Sequence, residues 1–105
     1  MAYTVVYQVY RKDGMSAEEF VDYWTRVHAP IAAKLPRVRS YVNFAVTSAT
    51  DAPAPAPDGF TILRFDSQED FEAAMASPEM EASGADAANF TSSFGVFTVE
   101  PQQIV

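Results

Sequence analysis

Apolar and polar positions alternate at the start of the chain. In Tyr3–Tyr10 (YTVVYQVY), Tyr3, Val5, Tyr7 and Val9 share one face of a strand, and Val6 and Tyr10 make the other face partly apolar. A strand of this kind is covered on both sides. Arg11–Gly14 is a polar turn, after which the spacing widens: Phe20, Trp24, Val27, Ile31 and Leu35 recur at helical intervals and form one stripe. Ser16 followed by Glu19 is a capping box that opens this helix, and Glu18 and Glu19 suit the positive end of its dipole. Pro30 lacks a backbone donor and conflicts with the carbonyl four residues earlier. It predicts a kink or short break near Ala29, a second short helix ending at Leu35-Pro36, and a freed Arg26 carbonyl beside His28. Tyr23 and His28 fall on opposite margins of the stripe, so a joint role needs a ligand or a strand residue between them.

Val38–Thr47 reads as a second strand, with Val38, Val42, Phe44 and Val46 on one side and Arg39, Tyr41 and Asn43 on the other. Ser48–Gly59, where Pro53, Pro55 and Pro57 alternate with alanines, is an extended loop without a core. Phe60–Asp66 is a third strand. Ser67 then starts a helix that turns Phe71, Ala74 and Met75 inward, and Ser77-Pro78-Glu79 restarts it with proline at the first helical position. Gly84 and Asp86 lead out toward a last strand over Phe90–Val99, and the tail Pro101–Val105 adds a short edge strand or crosses to a neighbour. The order βαββαβ predicts an α+β, ferredoxin-like domain over 1–105: a four-stranded antiparallel sheet with two helices on one face. The other face, also apolar, predicts a homodimer whose sheets pack together.

Composition narrows the functions. The 105 residues are 49% hydrophobic and 20% charged, with a net charge of −7 and no cysteine. No basic footprint for nucleic acid is present, and an anionic membrane is excluded on the same ground. Thiolate chemistry and cysteine-based metal or cluster sites are ruled out. No apolar run approaches a membrane span, and Met1–Val6 does not read as a signal peptide, so a cytoplasmic protein is expected. Dinucleotide-binding glycines, a phosphate loop, a serine elbow and a zincin helix are all missing, so no cofactor and no metal are expected.

The only tryptophan and the only histidine, Trp24 and His28, stand one helical turn apart with Tyr23 beside them. His28 is either a general acid/base (or hydrogen-bond donor) toward a ligand, or a helix-end histidine bonded to the carbonyl freed near Pro30. Trp24 is core packing or a pocket wall. Tyr23 either assists catalysis or pairs structurally with Asn43 or Arg39. Arg39, Tyr41 and Asn43 line a polar patch in a cavity or belong to the dimer interface, and Tyr7 has the same two readings.

The string Phe20-x2-Tyr23-Trp24-x3-His28-Ala29-Pro30, with Leu35-Pro36 and Arg39-x-Tyr41 after it, resembles the EthD family of dimeric α+β-barrel proteins. Ser77-Pro78-Glu79, Asp86 and Asn89-Phe90 resemble that family's second half, while the Ala52–Pro57 loop departs from its pattern. The family is named for ethyl tert-butyl ether degradation genes. The resemblance implies a homodimer and a cavity between sheet and helices. It further implies a cofactor-independent enzyme of oxidoreductase type acting on a small hydrophobic or aromatic compound in ether or aromatic catabolism. On this reading His28 and Tyr23 are catalytic, and Trp24, Tyr7, Arg39, Tyr41 and Asn43 bind substrate. A non-catalytic binding protein, an isomerase, decarboxylase or dehydratase, and a haem-binding variant with His28 as axial ligand are the alternatives.

Overall fold

The first strand, β1 (Tyr3–Arg11), lies in the middle of the sheet, as its two apolar faces require. It pairs antiparallel with β3 (Gly59–Phe65) on one side and β4 (Thr91–Val99) on the other; β2 (Ser40–Ala45) adds to β3, giving the order β2-β3-β1-β4. The computed structural model describes residues 2–105, so the first residue of the expected 1–105 domain lies outside it. The helices α1 (Ala17–Tyr23), α2 (Ala29–Ala32), α3 (Gln68–Met75) and α4 (Pro78–Ala87) form a second layer on one face. This is the ferredoxin-like βαββαβ arrangement. No helix among the described residues is long and apolar enough to cross a membrane.

Register fixes which side chains meet the helices. Tyr7 pairs with Thr61 and Val96, Tyr41 with Leu63, Asn43 with Thr61, and Val9 with Phe94. Val5, Val9, Leu63 and Phe65 on this face are buried with Phe20, Trp24, Leu35, Ala74 and Phe90. The opposite face carries Val42, Phe44, Phe97 and Val99, all 40–51% exposed. β2 begins at Ser40 and ends at Ala45, so Val38, Arg39, Val46 and Thr47 flank the strand instead of belonging to it.

The local signals for the helix starts hold. Ser16 accepts from the Glu19 N–H at 3.1 Å and its own N–H donates to the Glu19 carboxylate at 2.9 Å. Ser67 and Ser77 cap α3 and α4, with Pro78 in the first turn. Gly84 and Asp86 belong to the last part of α4 and do not lead out of it. The tail from Glu100 adds no strand; Ile104 and Val105 stand exposed.

Pro30 does not break the first helix. A π turn over Trp24–His28 joins α1 to α2, and the Ala29 N–H reaches the Trp24 carbonyl five residues back. The wider turn accommodates the proline, and the helix runs on to Ala32. It also shifts the buried face by one position. After Trp24 the buried residues are His28, Ala32 and Leu35, while Val27 is exposed.

Candidate functional site

The π turn decides the geometry of the site. In an α-helix, residues five apart point about 140° away from each other, which separates Tyr23 from His28. An i→i+5 turn stacks them instead. Both then face Asp86 in the last turn of α4: the Tyr23 hydroxyl donates to Oδ1 at 2.6 Å and His28 Nδ1 meets Oδ2 at 2.9 Å. The Asn89 amide adds a third contact to Oδ1 at 3.1 Å. The partners expected from sequence, a freed carbonyl for His28 and Asn43 or Arg39 for Tyr23, are not the ones used. The link between them is a helix residue, not a strand residue.

Phe90 holds this cluster from behind. Its ring lies 4.6 Å from His28, 5.4 Å from Tyr23 and 5.6 Å from Phe20, centroid to centroid. Thr91 Oγ1 donates to the Ala87 carbonyl at 2.7 Å and closes the end of α4, which fixes Asp86 in its turn.

The His28 and Asp86 side chains are about nine-tenths buried. Burial alone pushes the Asp86 carboxyl up, but hydrogen bonds from Tyr23, His28 and Asn89 outweigh it, and its pKa lies below the ordinary value. The Asp86 hydrogen bond, then burial, hold the Tyr23 phenol up. An ionised carboxylate only accepts, so the proton on the shared edge of neutral His28 sits on Nδ1. Nε2 is left with its lone pair and has no protein partner among the described residues.

His28 forms part of the wall of a cavity of about 150 Å³ between the sheet and the helices. The sheet contributes Tyr7, Val9, Tyr41, Thr61 and Leu63; the helices contribute Trp24, Ala32, Met80, Ser83 and Ala87, with Leu35 and Phe90 from the connections. Phe94 and Val96 of edge strand β4 line the cavity and are half exposed, which marks its mouth. Gly59 supports Trp24 from below: a Cβ there would overlap the benzo ring of the indole. No group of three or more acidic or histidine side chains suited to a metal occurs among the described residues.

The candidates from sequence divide cleanly. His28, Trp24, Tyr7 and Tyr41 line the cavity. The Tyr7 hydroxyl contacts Met75 Sδ at 3.7 Å, and burial raises its pKa. Tyr23 stands behind His28 as a partner of Asp86. Asn43 supports Tyr41 from the adjacent row, donating from Nδ2 to the Tyr41 hydroxyl at 3.2 Å while its Oδ1 accepts from Thr61 at 2.6 Å. Arg39 is not in the site; its guanidinium is exposed and paired with Asp66 at 2.8 Å. Asp86 and Ser83 are the residues that sequence reasoning left without a role. For Asp86 a signal existed: a carboxylate in the last turn opposes the helix dipole and calls for donors.

An EthD domain model matches residues 12–93 of the chain. Among solved structures, an EthD-family protein from Bacillus halodurans superposes with a TM-score of 0.81 at 19% identity, covering 97% of this chain and 100% of that one. A dimeric protein of ferredoxin-like fold from Bacteroides fragilis gives 0.67 at 17% identity, covering 94% and 95%. SnoaB, a cofactor-independent oxygenase from Streptomyces nogalater, gives 0.62 at 16% identity, covering 96% and 95%. No curated protein matches in sequence. The chain belongs to the EthD family.

Proposed function

From the premise of EthD membership, we propose that this domain is a cofactor-independent acid–base enzyme acting on a small hydrophobic or aromatic organic compound. One observation carries the reading: the Asp86 carboxylate holds Nδ1 of a buried histidine, and that histidine forms part of the wall of an apolar cavity. A ring nitrogen so oriented accepts a proton, and the imidazolium that forms is stabilised by the carboxylate behind it. Tyr23 is a positioning residue, since it reaches the substrate only through Asp86 and His28.

The substrate must then offer an acidic proton. An ether has none, so the geometry favours a phenol, ketone or lactone over the compound for which the family is named. Removing the proton yields a phenolate or enolate in a site with few groups of its own. Returning the proton to another atom gives an isomerase; loss of carbon dioxide or of water gives a lyase. If dioxygen is the oxidant, an activated methylene becomes a carbonyl with release of water, and the likeness in fold to SnoaB supports this oxygenase branch. The working unit is a homodimer joined through the uncovered sheet face, in keeping with the dimeric fold relative.

The test is turnover of a panel of phenols, ketones and lactones by the wild type and by His28→Gln. General-base catalysis contributes about 10²- to 10⁴-fold, so kcat falls by at least a hundredfold with ligand affinity nearly kept. Unchanged turnover in a folded His28→Gln removes the histidine from the chemistry. Tight binding with no turnover on any member favours the accessory-protein reading.

A further inference from the structure

Two hydroxyls in this cavity are not accounted for by the fold. The first is Tyr41. The chain of bonds beside it has a direction set by its distances: 2.6 Å between Thr61 Oγ1 and Asn43 Oδ1 suits an O–H donor and is short for an amide N–H, whereas 3.2 Å between Asn43 Nδ2 and Tyr41 Oη suits an amide donor. Thr61 therefore donates to Asn43, Asn43 donates to Tyr41, and the Tyr41 proton is left over. Burial raises the Tyr41 pKa, partly offset by the Asn43 bond, so the phenol keeps that proton. No acceptor for it occurs among the described residues, and Tyr41 lines the cavity.

The second is Ser83, on the helix side of the same cavity. It is 7% exposed, it lines the cavity, and its hydroxyl has no hydrogen-bond partner among the described residues. No sealed side-chain polar atom in the described structure lacks a partner, so the partnerless Ser83 hydroxyl keeps access to open space, and Ser83 and Tyr41 both line the cavity. A serine inside a helix commonly turns its hydroxyl back onto the carbonyl one turn earlier, and here it does not.

From these observations we infer that Tyr41 and Ser83 are ligand-positioning donors, and that the cavity selects a small ring compound bearing oxygen atoms on two sides. One oxygen meets the sheet wall at Tyr41 and the other meets the α4 wall at Ser83, while apolar side chains take the ring between them. A cavity of about 150 Å³ is of the size that holds a benzene ring. A site with unpaired buried donors discriminates strongly against the ligand that cannot pair them, because their desolvation is then uncompensated. The substrate class narrows to hydroxy-phenols and hydroxy- or oxo-substituted rings. This inference rests on the acid–base reading for its meaning in catalysis but not for its test.

The experiment is a binding titration of the folded protein with toluene, phenol and hydroquinone, followed by NMR chemical shifts and repeated on Tyr41→Phe and Ser83→Ala. The wild type is expected to bind hydroquinone most tightly and toluene least, each hydroxyl being worth about five- to tenfold, the value of one neutral hydrogen bond. Each variant loses one such step and keeps its toluene affinity, which a merely structural role would not spare. Equal affinity for toluene and hydroquinone, failure of all three to bind, or variants that keep the full discrimination would overturn the inference. If discrimination holds while the substrate panel shows no turnover, the catalytic reading fails alone. If His28→Gln abolishes turnover while Tyr41→Phe keeps the discrimination, the positioning roles fail alone.

Discussion

Tyr23 and His28, five residues apart on one helix, reach the two oxygens of a single carboxylate at 2.6 and 2.9 Å. The carboxylate belongs to Asp86 on the last helix, so the contact ties the two halves of the βαββαβ chain together at the site. The π turn is what makes it possible, since α-helical spacing would turn the two side chains apart. Structure and chemistry share these atoms, and changes to either partner bear on both.

Asp86→Asn keeps the shape of the side chain but replaces one acceptor oxygen with a donor. Either Tyr23 or His28 then faces a donor, and the imidazole loses the partner that fixes its tautomer. Turnover is expected to fall about a hundredfold, at the lower end of what general-base catalysis contributes. Stability falls by about 2 kcal/mol, the scale of a hydrogen bond to a charged group in a buried site. Tyr23→Phe leaves the His28–Asp86 bond in place and costs less in turnover than in stability. Steady-state kinetics beside urea unfolding separate the two effects, and an Asp86→Asn enzyme with wild-type kcat would show that orientation of His28 is unimportant.

The same cluster sets opposite limbs of the pH–stability curve. The folded pKa of Asp86 lies below its ordinary value of 3.8. Its contribution is therefore complete above that value and is lost as pH falls through the folded pKa. Tyr23, Tyr7 and Tyr41 lie above their ordinary 10.0. Their contributions are complete below pH 10.0 and are lost as pH rises through their folded values. Urea midpoints measured from acid to alkaline pH should show Asp86→Asn flattening the acid limb and Tyr23→Phe softening the alkaline one. An acid limb identical in wild type and Asp86→Asn would assign that limb to other carboxylates.

Gly59 is the point where β3 and the indole of Trp24 come closest, and a methyl group there has no room. Neither the buried ring nor the strand moves cheaply, so Gly59→Ala is expected to cost about 1–3 kcal/mol as an overpacking change. Trp24 is the sole tryptophan and lines the cavity, so its emission reports the displacement directly. A variant with unchanged emission and unchanged unfolding midpoint would mean the indole is not held against the strand.

Most of the fold was legible because it is written in local signals. The alternation in Tyr3–Tyr10 marked a strand with two apolar faces, and Ser16, Ser67 and Ser77 marked helix starts at their true positions. The site was legible only in part. His28 and Trp24 stand out by type, but the distance from His28 to Asp86 along the chain is 58 residues, and only the folded helix pair brings them together. Pro30 misled the reading for a physical reason. Its conflict with an α-helical carbonyl has two solutions, a break or a wider turn, and composition does not choose between them. That choice moved His28 from the margin of the stripe to its centre and put Val27 outside. Arg39 looked like a cavity residue because it shares the parity of Tyr41 and Asn43. It precedes β2, where alternation no longer fixes direction, and turns out to Asp66.

The outer sheet face carries the last prediction. Val42 and Phe44 on β2, Phe60 and Ile62 on β3, Val6 on β1, and Phe97 and Val99 on β4 carry an apolar face across all four strands, and no helix covers it. An apolar sheet face this wide is stable in water when a second sheet packs against it. The proposed dimer follows, and an isologous interface uses the same patch on both subunits, so one substitution acts twice. Phe97→Glu is expected to convert the dimer to a monomer in light scattering coupled to size exclusion. The cavity lies on the opposite face, so the residues around His28 keep their packing in the monomer. A wild-type chain that elutes as a monomer at all concentrations would overturn the dimer, and the exposed face would then have to be held in solution by its net charge of −7 alone.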